Sequence, residues 1–355
     1  MERQDSALAF MLRYENIAWF EDGVVKMLDR RVYPRVVRYE ICRTYREVIR
    51  ALQDMVTQSA GPYTAAAAGM ALAAYECKDE PQARQRAFLI RAAGEISNAR
   101  PTTAARMALI TSRALEAALK ALDGGQDTSE AVMRDLIEAN DLRYYKVRKM
   151  AGHLAEKIPA GGTVMTQCFG ETVVGQLCSV LKEQGKGNVR FFCPETRPYF
   201  QGARLTATVC SEMGFETFVI TDNMPACVLR QENVDVFTSA ADAICMDGSV
   251  INKVGTFQIA IAAKYLGVPY YATGAPDKMH ASAKEVRIEQ RDPDFVLQAM
   301  GQRTAADGVK GYYPAFDVTP PELVTGVVTD RGIYVPGDLG RYFENNPIGK
   351  YEMII

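Results

Sequence analysis

Cys168 closes a short apolar run, TVMTQC at residues 163–168, and is followed by Phe169-Gly170 and a stretch with helical spacing. A thiol at a strand end, next to the N–H groups and positive pole of a following helix, can ionise and become reactive. Glu171 opposes that ionisation, and a buried apolar thiol is the alternative reading of the same residue. Asp242 ends another apolar run, with Ala240, Ala241 and Ala243 beside it and little local polarity to solvate it. Its carboxyl could therefore remain protonated near neutrality, although an Asp capping a turn would look the same. Asn252-Lys253 come after the next turn, which puts an amide donor and a cation near the same edge. His153 and His280 are the only histidines. His153 lies in a helical pattern and reads as structural, while His280, beside Lys278 in a polar loop, could approach the site.

Cys168 and Asp242 share one feature, since each stands just after an expected strand. In open α/β sheets, ligands bind beyond the carboxyl ends of the strands. Four such ends, Thr166-Gln167-Cys168, Pro194-Glu195-Thr196-Arg197, Thr221-Asp222-Asn223 and Ala241-Asp242, carry polar or ionisable residues. From Gly161-Gly162 onward, short apolar strands alternate with helical segments, the signature of a parallel doubly wound sheet. A turn at residues 246–249 leads to a helix over 256–266 and a strand over 268–272.

Upstream the texture differs. Residues 16–29 alternate around Asp22-Gly23 and predict a β-hairpin. Helical spacing follows behind Thr44, then over residues 63–77, 82–98 and 102–122, the last opened by Arg100-Pro101. A turn-rich stretch at 123–127 precedes a long amphipathic pattern over 129–158. The expected fold class is α/β, with a mostly helical N-terminal domain carrying a short β element over residues 1–127 and a Rossmann-like domain over 128–355. The final segment, around 312–335, should dock instead of trailing free.

Composition narrows the function classes. With 355 residues, 48% hydrophobic and 24% charged, the chain matches a folded globular protein. Lys and Arg number 41 against 43 Asp and Glu, so no general field draws nucleic acid or anionic lipid. No leader pattern and no apolar stretch of about 18 residues is present, and a cytoplasmic location is expected. Eight cysteines without CxxC spacing argue against structural zinc, and at least six should be reduced and buried.

Longer runs carry a resemblance. ETRPYFQGARLTA at 195–207, AADAICMDGSVINKVGT at 240–256, Thr221-Asp222-Asn223 and PAFDVTP at 314–320 resemble the methylthioribose-1-phosphate isomerases. That family is related to archaeal ribose-1,5-bisphosphate isomerases and to regulatory subunits of a translation-initiation exchange factor. The resemblance implies isomerisation of an aldose 1-phosphate to a ketose 1-phosphate in methionine salvage, with Cys168 and Asp242 as catalytic pair. It further implies that Arg100 contacts phosphate, that Gln201, Asn252 and Lys253 line the sugar-phosphate site, and that the chain is a homodimer. Proton transfer between such groups requires no cofactor or metal, and the site is expected between the domains, where small-molecule clefts often form. The apolar end, Met353-Ile354-Ile355, could cover an interface or close the core.

Two departures matter. Where the family has Arg-Gly-Ala-Pro, this chain has Gln58-Ser59-Ala60-Gly61-Pro62, which lacks the guanidinium. The family's Cys-Asn-Thr/Ala-Gly becomes Cys168-Phe169-Gly170-Glu171. Either the substrate differs from methylthioribose 1-phosphate or the phosphate is held differently. The competing function is a non-catalytic regulator that binds a sugar phosphate or nucleotide, which predicts loss of the pair that this chain retains.

Overall fold

The computed structural model describes residues 3–100 and 104–344. They form a mixed α/β protein that divides into two compact units, with the division after Tyr145.

In the first unit, β1 (Ala18–Glu21) and β2 (Val24–Leu28) form the expected hairpin. Asp22 and Gly23 take φ of 51° and 75°, the left-handed pair that a tight turn between twisted strands requires. A third strand, β3 (Tyr39–Cys42), joins β2 antiparallel and was not expected, because its four residues, with Glu40 and Ile41 both exposed, show no in-out alternation. Thr44 caps α1 (Tyr45–Gln53) by accepting from the Glu47 N–H at 3.3 Å. Then come α2 (Gly61–Glu76), α3 (Gln82–Ser97) and α4 (Ala104–Asp123). α2 is apolar all round and packs on α1, α3, α4 and β1, as a helix without a polar face must. The expected start of α4 at Pro101 lies outside the described residues, as does the chain end at Met353-Ile354-Ile355.

α5 (Thr128–Ala155) follows the turn at which a boundary was expected. Val132 and Leu136 still belong to the first unit's core, so the compact units divide within this helix and not ahead of it.

The second unit holds β4 (Thr163–Met165), α6 (Thr172–Glu183), β5 (Arg190–Pro194), α7 (Ala207–Glu212), β6 (Glu216–Ile220), α8 (Pro225–Gln231) and β7 (Val236–Ala240). Next are β8 (Ala243–Ile244), β9 (Val250–Lys253), α9 (Thr256–Leu266), β10 (Tyr270–Thr273), β11 (Gln298–Ala299) and β12 (Gln302–Arg303). The unit closes with β13 (Phe316–Thr319), β14 (Gly326–Thr329) and β15 (Gly332–Tyr334). Its main sheet has the order β15-β14-β10-β7-β4-β5-β6 and is parallel except for β15. From β4 the chain builds outward through β5 and β6, then returns to lay β7 on the other side of β4. The order therefore reverses between β4 and β7, the place where open sheets of this kind form a crevice.

A second, antiparallel sheet, β13-β9-β8, was missed. Residues 250–253 pair with 316–319 in register, Lys253 opposite Phe316 and Asn252 opposite Asp317. The segment expected to dock does so through β13, β14 and β15.

Candidate active site

Cys168 lies three residues beyond the end of β4 and Asp242 two beyond the end of β7, so both flank the reversal point. Cys168 has φ of 60° and Thr196, after β5, has 62°, left-handed conformations unfavourable for residues with a β-carbon. Local bonds hold them there. The Cys168 N–H donates to Thr196 Oγ1 at 3.2 Å, and the Thr206 hydroxyl donates to Cys168 O. The Asp222 carboxylate, after β6, accepts the Thr196 and Arg197 N–H groups at 2.8 and 2.7 Å.

The Cys168 thiol donates to Gln201 Oε1 at 3.5 Å. Gln201 is buried and precedes one π-helical turn, Gly202–Thr206, a widened turn found often at functional sites. Gly202 permits that approach, since a β-carbon there would lie 1.8 Å from Pro194 O. Beside Cys168 is a small cavity of about 20 Å³, bordered by Thr166, Gly170, Ser239, Ala240 and Thr273, with room for about one water.

Asn252 and Lys253 end β9 with buried side chains. The Asn252 amide donates to Thr256 Oγ1 at 3.0 Å. Asp317 ties the start of α9 to β13, accepting from the Gly255 N–H at 2.6 Å and the Phe257 N–H at 3.2 Å. Burial pushes its carboxyl up to about 6, against those two bonds.

Electrostatically, burial dominates at Cys168 and pushes its thiol up to about 11. The Lys253 ammonium is the largest opposing influence, the Asp242 carboxylate adds to the rise, and the Phe169 N–H and Arg291 oppose it. At Lys253 burial lowers the ammonium's pKa, opposed first by Cys168. The thiol, the ammonium and the carboxylate are thus mutually coupled, and proton transfer is the chemistry such a group can perform.

Asp242 departs from expectation in one respect: it is exposed. Three neighbouring alanines are too small to enclose a carboxyl at a strand end, so apolar cover does not come from its own segment. Five of the expected residues, Cys168, Gln201, Asp242, Asn252 and Lys253, belong to the second unit, and Arg100, half-buried after α3, belongs to the first. His153 lies in α5, while His280 Nδ1 pairs with Asp277 Oδ2 at 2.9 Å. All eight cysteines are free; six are buried, Cys168 is partly exposed and Cys227 is exposed. Phe169 and Glu171 are both buried. No group of three or more His, Cys, Asp or Glu side chains able to hold a metal occurs among the described residues. Nor is any helix there long and apolar enough to cross a membrane.

The pattern of the initiation factor 2 subunit family matches residues 57–336. This chain belongs to that family. Among its relatives, methylthioribose-1-phosphate isomerase 1 of Pseudothermotoga lettingae is 34% identical over 335 residues, covering 90% of this chain and 94% of that protein. The methylthioribose-1-phosphate isomerase of Caldanaerobacter subterraneus subsp. tengcongensis is 33% identical, covering 89% and 95%. Of solved structures, 5-methylthioribose 1-phosphate isomerase from Pyrococcus horikoshii OT3 superposes with a TM-score of 0.81 at 29% identity, over 98% of this chain and 100% of that one. Translation initiation factor eIF-2B subunit delta from A. fulgidus gives 0.79 at 31%, over 90% and 96%. The chain is thus similar both to a named enzyme and to a named translation factor.

Proposed function

We propose that this chain is an aldose–ketose isomerase acting on a pentose 1-phosphate, with Cys168 as base and Asp242 as acid. The observation that carries the reading is the pair's position, a thiol and a carboxyl after the two strands that flank the sheet's reversal point, with a buried ammonium coupled to both. The relatives named as methylthioribose-1-phosphate isomerases support it.

An aldose 1-phosphate has its anomeric oxygen tied up in the phosphate ester, so its ring opens only with acid assistance. Asp242 gives a proton to the ring oxygen as the bond from that oxygen to C1 breaks. Cys168 thiolate removes the C2 proton and a C1=C2 enol forms. The thiol returns that proton to C1, the enol O–H gives its proton to the Asp242 carboxylate, and a C2 ketone remains. Both groups end as they began, and only protons move. Because Asp242 is exposed, the sugar ring itself must exclude water from the carboxyl when it binds.

The rest of the reading accompanies this one. Gln201, Asn252 and Lys253 line the sugar-phosphate site, Arg100 contacts phosphate, and the chain comprises a mostly helical N-terminal domain and a Rossmann-like C-terminal one. It works as a homodimer; light scattering at micromolar concentration is expected to give the mass of two chains, and a single chain's mass would count against it.

The missing guanidinium at Gln58-Ser59-Ala60 bears on the substrate. A charge-assisted contact to an oxyanion is worth about 1.5–3 kcal/mol, or roughly ten- to a hundredfold in affinity. Methylthioribose 1-phosphate is therefore expected not to be the best substrate, and 5-deoxyribose 1-phosphate or another pentose 1-phosphate modified at C5 is expected to exceed it. Pentose 1-phosphates differing only at C5, with ketose formation followed by NMR, test both points. A clear preference for the methylthio compound defeats the specificity claim. Binding without turnover of any member would favour a regulatory protein.

A further inference from the structure

Lys253 carries a buried charge that the described residues leave without a hydrogen-bond acceptor: its side chain is 3% exposed and its Nζ has no partner. Tyr313 repeats the pattern, 2% exposed with its phenol oxygen unpartnered. Both groups meet one aromatic wall. Lys253 Nζ lies 4.9 Å from the centre of the Phe316 ring and 5.9 Å from that of Tyr313. The Arg291 guanidinium carbon is 5.5 Å from the same Phe316 ring and 5.9 Å from Tyr199, whose ring is 6.2 Å from Tyr313. Arg291 is fixed in place, its backbone N–H donating to the Tyr313 backbone carbonyl at 3.0 Å and its side-chain Nε to Glu289 Oε1 at 3.1 Å.

This cluster stands against Cys168. Gln167 Nε2 donates to Val254 O at 3.3 Å, which draws the end of β9 onto the residue before the thiol. The charged groups that act on Cys168 are Lys253 and Arg291, which favour its thiolate, and Asp242, which disfavours it. Two cations and an unpaired phenol O–H, with Glu289 as Arg291's carboxylate partner, make a corner rich in donors. Arg291 has the Glu289 carboxylate, whereas the Lys253 ammonium, which cannot accept a hydrogen bond, is best satisfied by an anionic oxygen or sulfur.

We propose that Arg291 and Tyr313 complete, with Lys253, an anion-stabilising corner that supports the Cys168 thiolate and the partial negative charge on the enolic oxygen as that oxygen's proton passes to Asp242. Within it Arg291 is a positioning and charge-bearing residue acting through the thiolate, and Tyr313 donates a hydrogen bond to the enolic oxygen while keeping its own proton. The assignment rests on the isomerase reading.

Two measurements on the full-length protein test it: the pH dependence of iodoacetamide alkylation at Cys168, read by peptide mass spectrometry, and kcat and KM with the best pentose 1-phosphate. Removing a nearby cation raises a thiol's pKa, so Arg291→Gln should shift the alkylation midpoint to higher pH. Alkylation at pH 7.5 should slow at least threefold, kcat should fall about tenfold or more with KM less affected, and Arg291→Lys should recover part of both. Tyr313→Phe, which keeps the ring, should lower kcat at least tenfold while leaving the alkylation profile near wild type. Circular dichroism melts identify any variant that fails to fold, and the conservative Arg291→Lys and Tyr313→Phe then decide. An unchanged alkylation profile in Arg291→Gln together with unchanged kcat in Tyr313→Phe would overturn the proposal. If wild type turns over no pentose 1-phosphate, the isomerase reading fails, while the alkylation shift still supports or refutes the cationic corner.

Discussion

Cys168→Ser is expected to lower turnover at least about a hundredfold with folding intact, because a hydroxyl in place of the thiol cannot ionise usefully near neutrality. The exchange replaces sulfur by a smaller oxygen at a partly exposed position, so melting should change little. Burial pushes the thiol up to about 11, and the base is its ionised form. In the wild type the rate of Cys168 alkylation should therefore climb with pH above neutrality, following the ionised thiol. Substrate-dependent deuterium exchange at C2 reports the proton removal directly, although a shielded proton can return without exchanging. Turnover near wild type in Cys168→Ser would sink the base assignment.

Asp242→Asn is expected to produce a loss of similar size for a different reason, since an amide cannot protonate the ring oxygen. The residue is exposed, so stability should stay within about 0.5 kcal/mol of wild type. Its carboxylate also opposes ionisation of Cys168, and neutralising it should make Cys168 alkylate faster at fixed pH. Faster alkylation combined with at least about a hundredfold slower turnover separates the acid's chemistry from its charge. Equal and modest losses in both variants would mean that the pair is misassigned.

Much of this site is legible in sequence because it obeys local rules. Cys168 and Asp242 each come directly after an apolar run, and the alternation of strands with helices implies a sheet whose strand ends gather such residues. The antiparallel sheet that carries Asn252 and Lys253 is not legible. Its strands are two to four residues long, and the pairing of 250–253 with 316–319 leaves no local periodicity. Arg291 and Tyr313 escape for a related reason, since they lie in irregular segments and gain meaning only through the ring of Phe316. The exposure of Asp242 is not legible either, because alanines beside it in sequence do not cover it in space.

The pairing of β9 with β13 also has a consequence for how the protein is made. Lys253 stands in register with Phe316, and the helix that follows it is anchored by Asp317, so both await a segment translated long after the thiol and the carboxyl. The first unit's hairpin and helices draw on neighbours close in sequence and can begin to pack while synthesis continues. On the ribosome, Cys168 therefore emerges and waits without its cationic counterpart fixed. A chain stalled before residue 316 would hold the thiol and the carboxyl but leave the strand carrying Lys253 without its outer neighbour.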